Sequence, residues 1–425
     1  MVPLHELLTE RKEPVRVTGG FGDWQPITIK FSGDVLPRER TDAFKGSMFA
    51  AYPGDVVFSK IDARNGAVGI IPASMPKVVL TPEYPVMVPD LTKLRPAYLH
   101  HLLRAEHFRQ DLQRQASGTS GRKRVTPEAF LSLVVPLPTL EDQDALVLAY
   151  ESALVEAGTK EAKAAHVLQT SQRAFEEALG VAPPPPLPNR PVFITRFKTV
   201  ERWSHEGVLR AVTQPEHAVA KWPLMKLGDL VDDLENGWSP QCLDHPAAAD
   251  KWGVLKVGAV SFGYFNELEN KQLPAKLEPR SKYEIRVGDV IISRANVTRY
   301  VGACGYVSAV RPKLMLCDKL FRVVFKKDSG IDARFLSTVM KLPTVREQVE
   351  TRLTGTSPTM KNISKPALLD LQFPVPDLNT QRALVNALEA SGALADIEKS
   401  AAAALRHRAW ADFEAALFEP HAVAG

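Results

Sequence analysis

The sequence predicts a tandem of two mixed α/β (α+β) domains, each followed by a long helix. Three observations carry this: a repeat with an offset well above 200 residues, short strand-like runs punctuated by Gly and Pro within each copy, and two extended helical stretches free of proline. The chain has 425 residues, 45% of them hydrophobic and 24% charged. That balance excludes wholesale disorder and a collagen-like or membrane-bundle protein, and the length suggests more than one domain.

The repeat is read first from Tyr52-Pro-Gly-Asp-Val-Val-Phe-Ser-Lys60, which returns as Arg286-Val-Gly-Asp-Val-Ile-Ile-Ser-Arg294. Each copy predicts a turn leading into a buried strand. The offset is 234 at Gly54 and Gly288, and 237 where Ala116-Ser-Gly-Thr-Ser-Gly121 matches Leu353-Thr-Gly-Thr-Ser-Pro358. It settles at 238 from Pro136-Leu-Pro138 and Pro374-Val-Pro376 onward. There Gln143 pairs with Gln381 before a shared Ala-Leu-Val, and Ala174-Phe-Glu-Glu-Ala-Leu179 pairs with Asp412-Phe-Glu-Ala-Ala-Leu417. At the front, Leu4-His-Glu-Leu7 aligns with Leu227-Gly-Asp-Leu230 at only 223, so the halves differ most before the Gly-Asp-Val turn. Solenoid repeats run at roughly 20 to 50 residues, so an offset this long means duplicated domains.

The elements follow in order. Residues 1–138 and 201–376 each mix strand-like runs, such as Val56 to Phe58, Val68 to Ile71 and Val290 to Ile292, with one helical stretch, Pro96 to Gln115 or Ala333 to Arg352. After each Pro-x-Pro, which blocks helix, the pattern predicts one long helix over 139–180 and another over 377–420. Val147, Tyr150, Leu154, Ala157, Leu168 and Phe175 recur at the spacing a helix needs to zip to a partner, as do Val385, Leu388, Ala395 and Phe413. Ala401 to Ala404 favour close helix approach. About forty residues at roughly 1.5 Å each give a rod near 60 Å long. Between the halves, 181–200 holds Pro183 to Pro186 and Pro188, an extended polyproline linker.

The three cysteines, Cys242, Cys304 and Cys317, are too few and too scattered for a disulfide scaffold or a paired zinc site, and suit a reducing compartment. No apolar run is long enough to cross a membrane, and the chain is read as cytoplasmic. Lys and Arg number 53 against 49 Asp and Glu. An excess of four positive charges is too small to attract nucleic acid by itself, so any such contact must come from local basic loops.

Three local signals qualify. Gly118, Thr119 and Ser120 allow close backbone approach, and Arg122, Lys123 and Arg124 follow as a cation cluster. Its twin, Gly355, Thr356 and Ser357 with Lys361, keeps the loop and loses most of the charge. Beyond the Gly-Asp-Val strand stand Lys60, Asp62, Arg64 and Asn65 in one copy and Arg294, Asn296, Arg299 and Tyr300 in the other. Arg and Asn are the side chains that pair bidentately with guanine and adenine edges. Trp238, in Asn236-Gly-Trp-Ser-Pro240, offers a stacking surface or simply closes a small core. Each of these sites also admits a plainer reading as a solvated turn. Asp55 and Asp289 are read as turn residues bonding their own backbone, and not as nuclease carboxylates. His100 and His101, adjacent on a helix, cannot share a metal there.

In this doubled order of motifs the chain resembles the specificity (S, HsdS-like) subunits of type I restriction-modification systems, and the resemblance covers nearly the whole length. It rests on the Gly-Asp-Val strands ending in Ser59-Lys60 and Ser293-Arg294, the Gly-Thr-Ser loops, the Pro-x-Pro exits into Gln143 and Gln381, and the two long helices. The resemblance implies two target-recognition domains separated by an antiparallel, pseudo-two-fold coiled-coil helix pair that spaces the halves of a bipartite, asymmetric target in double-stranded DNA. It implies a chain without catalysis or cofactor of its own. Two methyltransferase (M) subunits would bring S-adenosylmethionine, and restriction (R) subunits would bring ATP and magnesium. Consistent with that, the chain has no Asn/Asp-Pro-Pro-aromatic tetrapeptide and no phosphate-binding Gly-x-x-x-x-Gly-Lys-Ser/Thr loop. A stand-alone two-site DNA-binding regulator and a self-contained nuclease or methyltransferase are the competing readings.

Overall fold

The computed structural model describes residues 1–16, 21–39, 47–115, 124–181, 208, 221–355 and 360–418. The proline tract of the linker lies outside them. Two compact units result: Met1–Lys163 with Ile397–Gly425, and Ala164–Asp396. Each unit thus takes part of both long helices.

In the first unit the Gly-Asp-Val run forms the strand Val56–Phe58, all three residues buried. It lies between Val86–Pro89 and Val68–Ile70, and Leu8–Arg11 completes an antiparallel sheet of four. The second unit repeats this order with Val231–Asn236, Leu320–Phe325, Val290–Ser293 and Cys304–Tyr306. Register is kept as well. Arg11, Val86, Val57 and Gly69 stand in one row across the first sheet, as Glu235, Arg322, Ile291 and Gly305 do across the second. The turn before the central strand needs a left-handed residue, and Gly54 (φ 88°) and Gly288 (φ 98°) supply it.

Asp55 and Asp289 accept hydrogen bonds from the backbone N–H groups of Tyr52 and Arg286, both at 2.9 Å, as turn residues should. Asp55 is also buried against Arg11, whose Nε lies 3.0 Å away. The second unit has moved its cation one strand over. Arg322 lies 3.7 Å from Asp289 and bonds Glu235, which occupies the row position of Arg11, at 2.6 Å.

The second sheets have diverged. The first unit has five strands, Pro14–Val15, Met48–Ala51, Val78–Leu80, Gln25–Ile29 and Val35–Pro37 in spatial order. The second unit has three, Asn270–Gln272, Gly253–Leu255 and Leu314–Met315. Both keep one parallel pairing, Gln25–Ile29 with Val78–Leu80 and Gly253–Leu255 with Leu314–Met315.

The single helical stretch expected in each copy is two helices. These are Pro96–Leu102 and Glu106–Gln115 in the first unit, Ala333–Val339 and Pro343–Thr351 in the second. Pro343 explains the second break, since it has no N–H to continue the ladder. At the first break the half-buried Arg104 side chain turns back to donate to the carbonyl of His100, and reaches Ser32 and Val68 at 2.7 and 2.9 Å. Burial holds the His100 imidazole down at about 3, well below its usual value, and lowers His101 in the same way. The unfolded chain therefore takes up a proton near pH 6.5 that the folded chain refuses, and stability falls as pH drops from 6.5 toward 3. His100→Leu should flatten that fall in a pH series of thermal melts. An unchanged slope would show that His100 does not contribute.

The long helices are Leu140–Leu179 and Leu378–Phe418. In the first unit they run antiparallel: Tyr150 meets Trp410 and Phe413, each at 5.6 Å, Glu161 pairs with Arg406 at 2.9 Å, and Lys163 with Glu398 at 2.5 Å. Glu161 and Lys163 therefore tie one helix to the other. In the second unit Phe175 and Leu179 join Val385 in the core. Ala157, Ala164, Ala395 and Ala402 are completely buried. Leu168, expected in the seam, is 38% exposed. Ala164 takes the seam position one turn earlier, and close approach over alanine leaves the larger leucine at the margin. Of Ala401 to Ala404, only Ala402 is fully buried.

One polar contact anchors each helix start. The fully buried Gln143 accepts from the N–H of Arg95 at 2.8 Å and donates to the carbonyls of Lys93 and Pro138, both at 2.9 Å. Gln381 accepts from Asp332 at 2.8 Å and donates to Gly330 and Pro376 at 2.8 and 2.7 Å. A buried amide is tolerated only when so satisfied.

Candidate nucleic-acid interface

The central strands end at Lys60 and Arg294, and here the structure joins two signals that stand some sixty residues apart in each copy. The N–H of Val125, just past the first cation loop, donates to the carbonyl of Lys60 at 2.8 Å, and the N–H of Ile363 donates to that of Arg294 at 3.0 Å. A neighbouring strap repeats too: Lys60 N–H to Glu83, and Arg294 N–H to Lys319, both at 2.9 Å. Val125 and Ile363, which follow the Gly-Thr-Ser runs in sequence, are thereby tied to the segments carrying the candidate base-reading side chains. Thr126 and Ser364 then cap the short helices Pro127–Leu131 and Lys365–Leu369.

In the second unit Asn296 stands opposite Lys361 in a two-stranded ladder, and Lys361 Nζ donates to the carbonyl of Gly355 at 2.6 Å. Asn296 Nδ2 also donates to Ser261 Oγ at 3.1 Å. The Arg299 guanidinium lies 4.3 Å from the Tyr300 ring centre, and Arg294 lies 5.8 Å from that of Phe321. Phe262 approaches Tyr300 edge-on at 5.6 Å with 66% of its own surface exposed. The sequence reading missed Phe262. Its only signal there is an aromatic pair, Phe262 and Tyr264, around a glycine.

In the first unit Lys60 and Arg124 line a cleft with Arg11, Lys12, Glu83 and Glu128, and Arg124 is 3.2 Å from Glu83. Asn65 donates to Asp62 at 3.1 Å. The Nε of Arg64 is buried without a hydrogen-bond partner among the described residues, so one strong donor is left to be satisfied. Gly118, Thr119, Ser120, Arg122 and Lys123 lie outside the described residues, as do Thr356 and Ser357.

The segment of Trp238 meets this cluster at Asp318, whose carbonyl accepts from both Asn236 and Arg294. Trp238 itself packs on the core of the three-stranded sheet, and the Arg280 guanidinium covers its ring at 4.1 Å. Glu269 and Lys271 are held in two separate surface pairs, Lys256 with Glu269 at 2.9 Å and Lys271 with Asp244 at 2.5 Å. Among the described residues no His, Cys, Asp and Glu group could hold a metal ion. No described helix is long and apolar enough to cross a membrane.

Two α/β units of matching sheet order, each with part of two long helices, make a fold shared with solved type I specificity subunits. The HsdS subunit from Thermoanaerobacter tengcongensis superposes with a TM-score of 0.51 at 17% identity, over 98% of this chain and 96% of that one. A chain from work on complex assembly and conformational transition of the type I R-M system gives 0.60 at 18% identity, over the same shares. By sequence, 169 residues are 31% identical to the type I restriction enzyme EcoEI specificity subunit of Escherichia coli. That match covers 40% of this chain and 28% of the relative, so it spans little more than a quarter of the relative's length. No family model matches. The likeness to type I specificity subunits read from the duplicated motifs thus stands on a relative and on the fold.

Proposed function

We propose that this chain is the non-catalytic, cytoplasmic specificity subunit of a type I restriction-modification complex. Its two recognition domains, 1–138 and 201–376, each read one half of a bipartite, asymmetric DNA target. The helices at 139–180 and 377–420 set the gap, and the chain docks two methyltransferase subunits and the restriction subunits. Chemistry resides in those partners: S-adenosylmethionine serves adenine methylation, and ATP with magnesium serves translocation and cleavage.

The observation that carries this reading is the bond from Val125 to Lys60, repeated from Ile363 to Arg294, which ties a residue that follows each Gly-Thr-Ser run in sequence to the reading segment in both units. Around that constant frame the side chains differ: Arg64 and Asn65 in one unit, Arg299 and Tyr300 in the other. A shared frame with unlike side chains is what two readers of different half-sites require.

The test is selection of bound sequences from a random duplex pool by the full chain, isolated from its host with its co-purifying subunits. A split motif with two unlike halves and a fixed gap is expected; recovery of no motif would refute the reading. Asn296→Ala or Arg294→Ala should relax base choice in the second half alone, by about 1 to 3 kcal/mol for each bidentate pairing removed. If the selected motif is unaltered, both residues are structural. Deleting seven residues from each long helix removes roughly 10 Å of rise, and should shorten the accepted gap by about 3 base pairs while sparing both half-sites. An unaltered gap in a folded variant would reject the helices as the spacer.

A further inference from the structure

Each unit carries an exposed phenylalanine after the parallel-paired strand of its second sheet. Phe31 is 62% exposed in the turn between the strands Gln25–Ile29 and Val35–Pro37, and Phe262 is 66% exposed shortly after Gly253–Leu255. The strands that precede them are equivalents, since each runs parallel to the same kind of neighbour in the second sheet. The offset between the two phenylalanines, 231, falls between the 223 of the chain start and the 234 of the Gly-Asp-Val turn.

The loops that bear them are seated alike. Gly69 and Gly305 share a row position, and a Cβ on either would meet loop backbone: the Gly33 carbonyl at 2.6 Å, or the Tyr264 carbonyl carbon at 3.0 Å. Glycine there lets the aromatic loop press against the hairpin that bears the reading segment. Phe31 abuts that segment directly, because its carbonyl would lie 2.3 Å from a Cβ on Gly66, next to Asn65. Phe262 touches it through Tyr300, and Ser261 through Asn296.

A single exposed aromatic needs no explanation, but one seated beside the reading segment in both units, which share few loop residues, calls for a use. Cations belong to the same segments: Lys30 adjoins Phe31 in sequence and Arg64 lies two residues before Gly66, while Arg299 stacks on Tyr300, which meets Phe262, and Lys361 stands opposite Asn296. We propose that Phe31 and Phe262 are paired base-stacking residues, one per unit, that press on a nucleobase or wedge into a base step beside each reading segment. This rests on the proposed reading of DNA and assigns that site a second mode of contact. Stacking adds affinity through the π-face of any base, and unstacking a step makes the local sequence matter through its flexibility.

Alanine and tyrosine variants at both positions of the full chain with its co-purifying subunits test this on the duplex that the wild type selects from the random pool. Phe31→Ala and Phe262→Ala should each weaken binding roughly tenfold, and Phe→Tyr at the same position should restore it. 2-Aminopurine placed along the duplex should brighten on binding at one position per half-site, and Phe31→Ala and Phe262→Ala should each abolish one of the two signals. If the wild type selects a split motif and both alanine variants bind it within about twofold with the fluorescence unchanged, stacking is refuted and the DNA reading stands. If the wild type selects no motif, the DNA reading fails and stacking falls with it.

Discussion

Replacing Arg122, Lys123 and Arg124 together by alanine is expected to weaken DNA binding about 10- to 100-fold at low salt, whatever the sequence of the duplex. The slope of log affinity against log salt should fall by about two to three, one for each phosphate no longer neutralised. Arg124 already lies 3.2 Å from Glu83, so its share should be the smallest of the three. Lys361→Ala in the second unit removes a lone cation and should lower the slope by about one. Titrations by fluorescence anisotropy at several salt concentrations read both quantities. A slope unchanged in the triple variant would mean that the cluster faces something other than phosphate.

The second large effect is on stability. Gln381→Leu would strand the Asp332 N–H and the carbonyls of Gly330 and Pro376 in a buried site, costing about 3 kcal/mol or more. Gln381→Glu keeps the shape but sets a carboxylate against those two carbonyls, and should be at least as harmful. Gln143→Leu should do the same to the first unit. Thermal or urea unfolding followed by circular dichroism measures the destabilisation; an unshifted midpoint would show that the glutamine bonds are replaceable by water.

How much of this could be read beforehand depended on whether a feature was local. The central strands, the turn aspartates and both long helices are written in contiguous residues, and they appear where the periodicity and the Gly-Asp and Pro-x-Pro signals put them. The Gln143 and Gln381 pairing was visible as a repeat, yet its partners around Lys93 and Gly330 lie some fifty residues back and only the fold names them. The break between the paired helices was signalled by Pro343 in one copy alone, because in the other a side chain, Arg104, does the turning. Leu168 failed as a seam residue because heptad spacing says nothing of how closely alanines draw two helices together. Phe262 escaped notice because insertions shift the offset throughout the segment that contains it. As for the candidate interface, the sequence offers the residues after Lys60 and Arg294 and those after the Gly-Thr-Ser runs as separate candidates, whereas the backbone bonds from Val125 to Lys60 and from Ile363 to Arg294 are visible only in the fold.

The displaced arginine sets a limit on how such halves can be recombined. Asp55 depends on Arg11 from the outermost strand, whereas Asp289 faces Arg322 from the strand between, with Glu235 standing where Arg11 would be. A hybrid that imported only the outer strand of the first half would crowd two guanidinium groups at one carboxylate, and the reverse graft would leave a carboxylate pair with no counter-ion. The smallest segment that can be transplanted between such halves is therefore the outer strand together with its neighbour, and crossovers that fall between them should be rare among viable chimaeras.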